Sequence, residues 1–181
     1  MPIDPTVGTV LVLGYAALLL PAAWHKLHDR AVFAAVLEAY RILPRRAVPW
    51  LAPFVPLTEA TLAVGLCVPA ARPVCAVGVA VLLGLYAAAI AWNLVRGRTD
   101  LDCGCTGPRE RRPVAAWMVY RNALLAGLVL PIAGPWSNRS LTALDVFAVV
   151  AALLTAVLLW LAIDRLLGQV VPRGALLKVS R

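Results

Sequence analysis

Two cysteines one glycine apart, Cys103 and Cys105, sit in the stretch RGRTDLDCGCTGPRERRP, residues 96–113. Gly104, having no side chain, lets the backbone take the tight geometry that a very small disulfide ring demands. Such a ring is strained, so its disulfide is easily reduced and oxidising toward partners. Arg98, Arg109, Arg111 and Arg112 favour thiolate, with Asp100, Asp102 and Glu110 partly offsetting them. The pair therefore suits thiol–disulfide exchange. Two other readings stand beside it: a soft-metal site offering two thiolates to Cu(I) or Zn(II), and a purely structural pair. Zinc usually takes four protein ligands, and only His25 and His28 are on hand to add to the two thiolates.

The other two cysteines, Cys67 and Cys75, bracket the short turn CVPAARPVC between two apolar stretches. A disulfide there is geometrically feasible and would make a second redox pair; free thiols in apolar helices are the commoner case. Two ionisable residues, Glu59 and Arg121, interrupt apolar runs, and Asn122 and Asn93 lie where they could complete a polar cluster with them. Nothing resembles a phosphate-binding glycine loop, a Ser/His/Asp arrangement or paired catalytic carboxylates.

These groups have to be positioned by very apolar elements. Of 181 residues 62% are hydrophobic and only 14% charged, and the mean hydropathy is +0.84. That composition excludes an ordinary soluble domain and indicates an integral membrane protein. A hydrocarbon core of about 30 Å needs roughly 20 apolar residues as helix. Five such runs appear: 6–24, 50–70, 73–95, 114–134 and 141–163. Trp24, Trp50, Trp92, Trp117, Trp136 and Trp160 all lie near a predicted span end, at headgroup level. The expected fold is an all-α membrane bundle of five transmembrane helices, one domain over residues 1–181. The opening MPIDP lacks the basic start of a signal peptide, so the first span is expected to be retained.

Between the first two spans, DRAVFAAVLEAYRILP places Phe33, Val36, Leu37 and Tyr40 on one helical stripe, away from Arg30, Glu38 and Arg41. This predicts an interfacial amphipathic helix. Fourteen of the seventeen basic residues fall in the loop after the first span, the loop around Cys103 and Cys105, and the tail, whereas Arg72 and Arg139 alone fall on the opposite side. The positive-inside rule then puts the N-terminus outside and the C-terminus and the CxC loop at the cytoplasmic face. The net charge of +8 follows from orientation and anionic headgroups; basic residues interleaved with exposed aromatics, as nucleic acid would require, are absent.

Counted from the inner end at 1.5 Å per residue, Glu59 and Arg121 lie at depths of roughly 13 and 10 Å. A lone charge at mid-membrane costs about 2.5–3.5 kcal/mol on the insertion scale, so the two are expected to pair. A proton path or a quinone contact is the functional counterpart of that pairing. Asp145, near the outer end of the fifth span, is expected to be solvated or to cap its helix, and His25 to sit at headgroup level.

The segments AWHKLHDRAVFAAVLEAYRILP, PLTEATLAVGL, NLVRGRTDLDCGCTGP and VYRNALLAGLVLP together resemble the methylamine utilisation protein MauE family, related to DoxX-like membrane proteins. The resemblance covers about residues 10 to 135. The family motif usually reads CGCFG, and Thr106 stands here in place of the aromatic residue. What the resemblance implies is a helical bundle in the bacterial inner membrane. It also implies help in maturing a periplasmic, disulfide-rich quinoprotein amine dehydrogenase, alongside a thioredoxin-like partner. On this reading the chain is a candidate membrane thiol–disulfide oxidoreductase, with Cys103 and Cys105 exchanging and a quinone as the candidate cofactor. A soft-metal or small-molecule handling protein, or a non-catalytic scaffold, is the alternative.

Overall fold

A computed structural model describes residues 2–99, 101 and 114–170, together with side chains except those of Asp164 and residues 167–170. Cys103 and Cys105 lie outside the described residues. Six α-helices follow in order: α1 Pro5–His28, α2 Arg30–Tyr40, α3 Val48–Cys67, α4 Arg72–Val95, α5 Ala116–Leu128 and α6 Ala143–Val170. Short 3-10 turns, Arg45–Ala47 and Leu130–Ala133, precede α3 and follow α5. The described residues contain no strand; Ile3 and Trp136 form one isolated bridge.

Five segments are long and apolar enough to cross a membrane: Pro5–His28, Arg45–Cys67, Arg72–Val95, Ala116–Ala133 and Ala143–Ile163. They coincide with the five expected spans, and the chain is a multi-pass membrane protein. Two ends differ from expectation. The first helix runs past Trp24 to His28, carrying Lys26 into the bundle, and the second stops at Cys67. The amphipathic helix α2 is present, with Phe33 buried and Arg30, Glu38 and Arg41 exposed. It ends where Arg41 turns left-handed, at φ 51°.

Local chemistry accounts for the helix starts. Asp4 caps α1 by accepting from the Thr6 N–H at 2.8 Å, and Pro5 occupies the first turn, where a missing N–H costs nothing. At α6 the Thr142 N–H donates to Asp145 Oδ2 at 2.8 Å and the Asp145 N–H to Thr142 Oγ1 at 3.3 Å. That reciprocal arrangement is a capping box, the capping role expected of Asp145.

Both chain connections at this N-terminal end are clasped. Ile3 donates to the Pro135 carbonyl at 2.8 Å, and Ser137 donates to the Ile3 carbonyl at 2.9 Å. Arg139 reaches Asp4 at 3.1 Å and Asp145 at 2.7 Å. Its guanidinium holds the Asp4 carboxyl below the ordinary value, helped by the bond from Thr6, and the two acids in turn raise Arg139. Trp136 packs against Gly8, where an added Cβ would come within 2.5 Å of the indole, and Arg72 lies over its ring at 3.9 Å.

The core between the helices is built from Val12, Tyr15 and Leu19 of α1, Ala63 and Leu66 of α3, Ala76, Val79 and Leu83 of α4, and Val129 and Ile132 beyond α5. Helix α3 packs against α1, α2 and α4, whereas α5 packs chiefly on α4 and α6 on α1. Large apolar side chains such as Trp50, Val74, Val95 and Leu144 remain exposed around the bundle. This is the surface that a hydrocarbon solvent rather than water would cover.

Candidate functional site

Buried stripes on two helices, joined by a side chain from a third, converge on one carboxylate. Along α1 the stripe is Val12, Tyr15, Leu19, Ala23, Lys26; along α3 it is Ala52, Pro56, Glu59, Ala63, Leu66. Each advances by three or four residues, so Lys26 and Glu59 occupy positions that helix geometry aims at the neighbouring helix. The two are 6% and 1% exposed and form a salt bridge through Lys26 Nζ and Glu59 Oε1. From α4, the Tyr86 hydroxyl donates to the same Oε1 at 2.6 Å. Lys26 Nζ also lies 3.4 Å from that hydroxyl. The ammonium further sits over two rings, with centroids at 5.3 Å for Phe33 of α2 and 4.9 Å for Tyr86. Glu59 Oε2 is buried and has no hydrogen-bond partner among the described residues.

The expected pair between Glu59 and Arg121 is thus replaced by a pair between Glu59 and Lys26. The reason lies in helix neighbours. Helix α1 packs closely against α3, and the extension of α1 to His28 brings the Lys26 stem alongside Glu59. Arg121 belongs to α5 and its guanidinium lies over Trp117 at 5.1 Å and Trp160 of α6 at 5.2 Å. Cation–π contact there takes the place of the carboxylate.

The asparagines do not join the pair either. Asn122 is buried and donates to the Met118 carbonyl, one turn back in its own helix, at 2.8 Å. Asn93, fully buried, donates to the Ala89 carbonyl at 3.0 Å and accepts from Arg98 at 3.1 Å. Arg98 also donates to the carbonyls of Ala39 at 2.7 Å and Tyr40 at 3.3 Å. It thereby caps the C-terminus of α2, the end at which the helix dipole favours a cation. Sequence spacing did not mark Arg98 for this role, because its partners are backbone carbonyls nearly sixty residues away.

Arg98 stands at the root of the segment carrying Cys103 and Cys105. The Val114 N–H donates to the Leu101 carbonyl at 2.9 Å. Around that bond Ile90, Val114 and Met118 form a small core with Tyr40, Leu94, Leu101 and Trp117. The chain thus leaves α4 and re-enters α5 at one anchored point, on the same end of the bundle as Lys26.

Cys67 and Cys75, at the opposite end, are both free thiols. Cys67 is exposed, its Sγ 3.7 Å from the Ala63 carbonyl one turn back. Cys75 packs on Gly65, so closely that a Cβ there would collide with its sulfur. The two thiols are engaged separately rather than bridged. Among the described residues no three His, Cys, Asp or Glu side chains group as a metal site.

Comparison with known proteins identifies the family. The family model of methylamine utilisation protein MauE matches residues 4–137. Over 131 residues the chain is 40% identical to methylamine utilization protein MauE of Paracoccus denitrificans, covering 72% of this chain and 70% of that one. Over 169 residues it is 34% identical to the protein of that name from Methylophilus methylotrophus, covering 91% and 88%. A third relative, from Paracoccus versutus, is 37% identical over 144 residues, covering 76% and 77%. No solved structure matches significantly. A family match across most of the membrane-spanning region, and relatives that this chain covers over more than two thirds of their length, establish that it belongs to the methylamine utilisation protein MauE family.

Proposed function

We propose that the protein serves methylamine utilisation as an accessory of the bacterial inner membrane, exchanging thiols and disulfides in support of a disulfide-rich periplasmic protein such as a quinoprotein amine dehydrogenase. The N-terminus is outside and the C-terminus cytoplasmic, so Cys103 and Cys105 exchange at the inner face, and support of a periplasmic client requires reducing equivalents to be relayed across the bundle toward the free thiols Cys67 and Cys75 at its outer end. The observation that carries the reading is the dithiol motif Cys103-Gly104-Cys105 in a member of this family. The anchored root at Leu101, Val114 and Arg98 supports it, since exchange demands that the motif be held at a defined place.

In the exchange step a thiolate of a thioredoxin-like partner attacks one sulfur of the Cys103–Cys105 disulfide. A mixed disulfide forms and the other cysteine leaves as thiolate. The partner's second thiol then resolves the mixed disulfide, so the partner is oxidised and the CxC pair gains two electrons and two protons. A lipid quinone is the class of acceptor that would return the pair to the disulfide.

The test is mutational trapping. Cys103→Ser and Cys105→Ser are each expected to abolish function about as fully as the double change, because one thiol attacks and the other resolves. One single variant is expected to accumulate a covalent partner on non-reducing electrophoresis. Alkylation mass spectrometry with and without reductant is expected to show a reversible two-electron change. Active single variants with no trapped partner, or stoichiometric copper or zinc on the purified protein, would overturn the exchange mechanism.

A further inference from the structure

We propose that Glu59, Lys26 and Tyr86 form a proton-exchange site inside the helix bundle, with Glu59 Oε2 as the atom that takes the proton. The inference stands apart from the exchange chemistry of the cysteines and uses only described residues.

The geometry is lopsided in an informative way. Both donors, Lys26 Nζ and the Tyr86 hydroxyl, converge on Glu59 Oε1, while Oε2 is buried with no partner among the described residues. Buried polar atoms are nearly always satisfied, so an orphaned carboxylate oxygen calls for an explanation. A proton arriving at Oε2 removes the negative charge from that unpartnered oxygen and breaks neither bond at Oε1. Ionisable groups inside a membrane bundle that are paired in this way are typical of proton relays.

The aromatic rings account for the other partner. Once Glu59 is neutral, Lys26 loses its countercharge, and a bare ammonium in apolar surroundings would be expelled or deprotonated. Phe33 and Tyr86, at 5.3 and 4.9 Å, hold the cation by their π faces in either state.

The step balances simply. A proton leaves water and bonds to Oε2, Lys26 keeps its own protons, the site passes from zero to one positive charge, and no electron moves. Tyr86, half-buried and bonded to both partners, is the member of the trio nearest the surroundings. Among the other charges on the packed elements, Asp29, between α1 and α2, is half-buried. His25 and His28 of α1, Arg30 and Glu38 of α2, and Arg45 and Arg46 before α3 are exposed. On α4, Arg72 lies over Trp136 and Arg96 over Trp92.

The experiment is infrared spectroscopy of the full chain in lipid vesicles across pH, following the C=O stretch of a protonated carboxyl group. The wild type is expected to gain a band on acidification that Glu59→Gln lacks. Tyr86→Phe, which keeps the ion pair, is expected to move the band to higher frequency by removing a hydrogen bond. Lys26→Met is expected to strengthen the band relative to the wild type at the same pH, because removing the countercharge favours the neutral carboxyl. A chain with both Cys103→Ser and Cys105→Ser is expected to keep the band even if the exchange reading fails. Absence of any such band in the wild type while its helices are intact would overturn the proposal. So would a band that survives Glu59→Gln, or one that disappears with the cysteines.

Discussion

Tyr86 on α4 donates its hydroxyl to Glu59 on α3 at 2.6 Å, onto the same oxygen that receives Lys26 from α1. One atom thereby joins three helices. An ion pair alone would tie two elements by polar contact and leave α4 joined to them only through apolar packing. The added hydroxyl gives α4 a polar tie to the pair as well, and the low dielectric makes each bond in such a network depend on the others.

The first prediction concerns that network. Lys26→Met or Glu59→Gln alone is expected to cost about 3–5 kcal/mol, because each strands its partner's buried polar group. The two together are expected to cost clearly less than the sum, read as a double-mutant cycle from denaturant unfolding in detergent micelles. Arg121→Gln combined with Glu59→Gln is expected to be additive, since Arg121 contacts Trp117 and Trp160 instead.

Arg98→Ala is expected to loosen α2 and the anchor together. The guanidinium bonds the Ala39 and Tyr40 carbonyls and Asn93, so its loss frees the α2 C-terminus and uncouples it from α4. Hydrogen exchange is expected to speed up both in residues 36–41 and at the Val114 amide. Faster exchange in α2 alone would mean that the two are held independently.

At the Gly65 contact, Gly65→Ala is expected to cost about 1–3 kcal/mol by overpacking against Cys75. Adding Cys75→Ala removes the colliding sulfur and is expected to recover most of that loss. A thermal melt of the single and double variants reads the difference.

The Arg139 clasp gives a pH dependence with a definite sign. The Asp4 carboxyl is held below its ordinary 3.8 by Arg139 and by the Thr6 amide. A depressed folded value contributes stability above the unfolded value, and that contribution is lost as pH falls through the folded one. Carboxyl NMR is expected to show Asp4 titrating below 3.8, and Arg139→Gln is expected to move it back upward.

Hydropathy made the five spans legible, because the physics that drives a helix into lipid acts on one segment at a time. The α2 stripe and the Asp145 cap were legible for the same local reason. The partner of Glu59 was not, since periodicity tells which face is buried and not which helix covers it. Lys26 looked like one of several interfacial cations in AWHKLHDR. Yet it prolongs the stripe Val12, Tyr15, Leu19, Ala23, and that continuation was the available signal. Trp117, one turn before Arg121, was similarly in view. Trp160 was not, because it comes from another helix.

The bond between Leu101 and Val114 has a consequence for how such a protein can change over time. With the two ends of 102–113 held one hydrogen bond apart, the intervening residues can be lengthened, shortened or replaced without shifting the register of α4 against α5. Closing a longer segment adds only about 0.6 kcal/mol per doubling of its length. The membrane bundle can therefore act as a socket, and the cysteine-bearing stretch as a cassette exchangeable between relatives while the helices stay as they are.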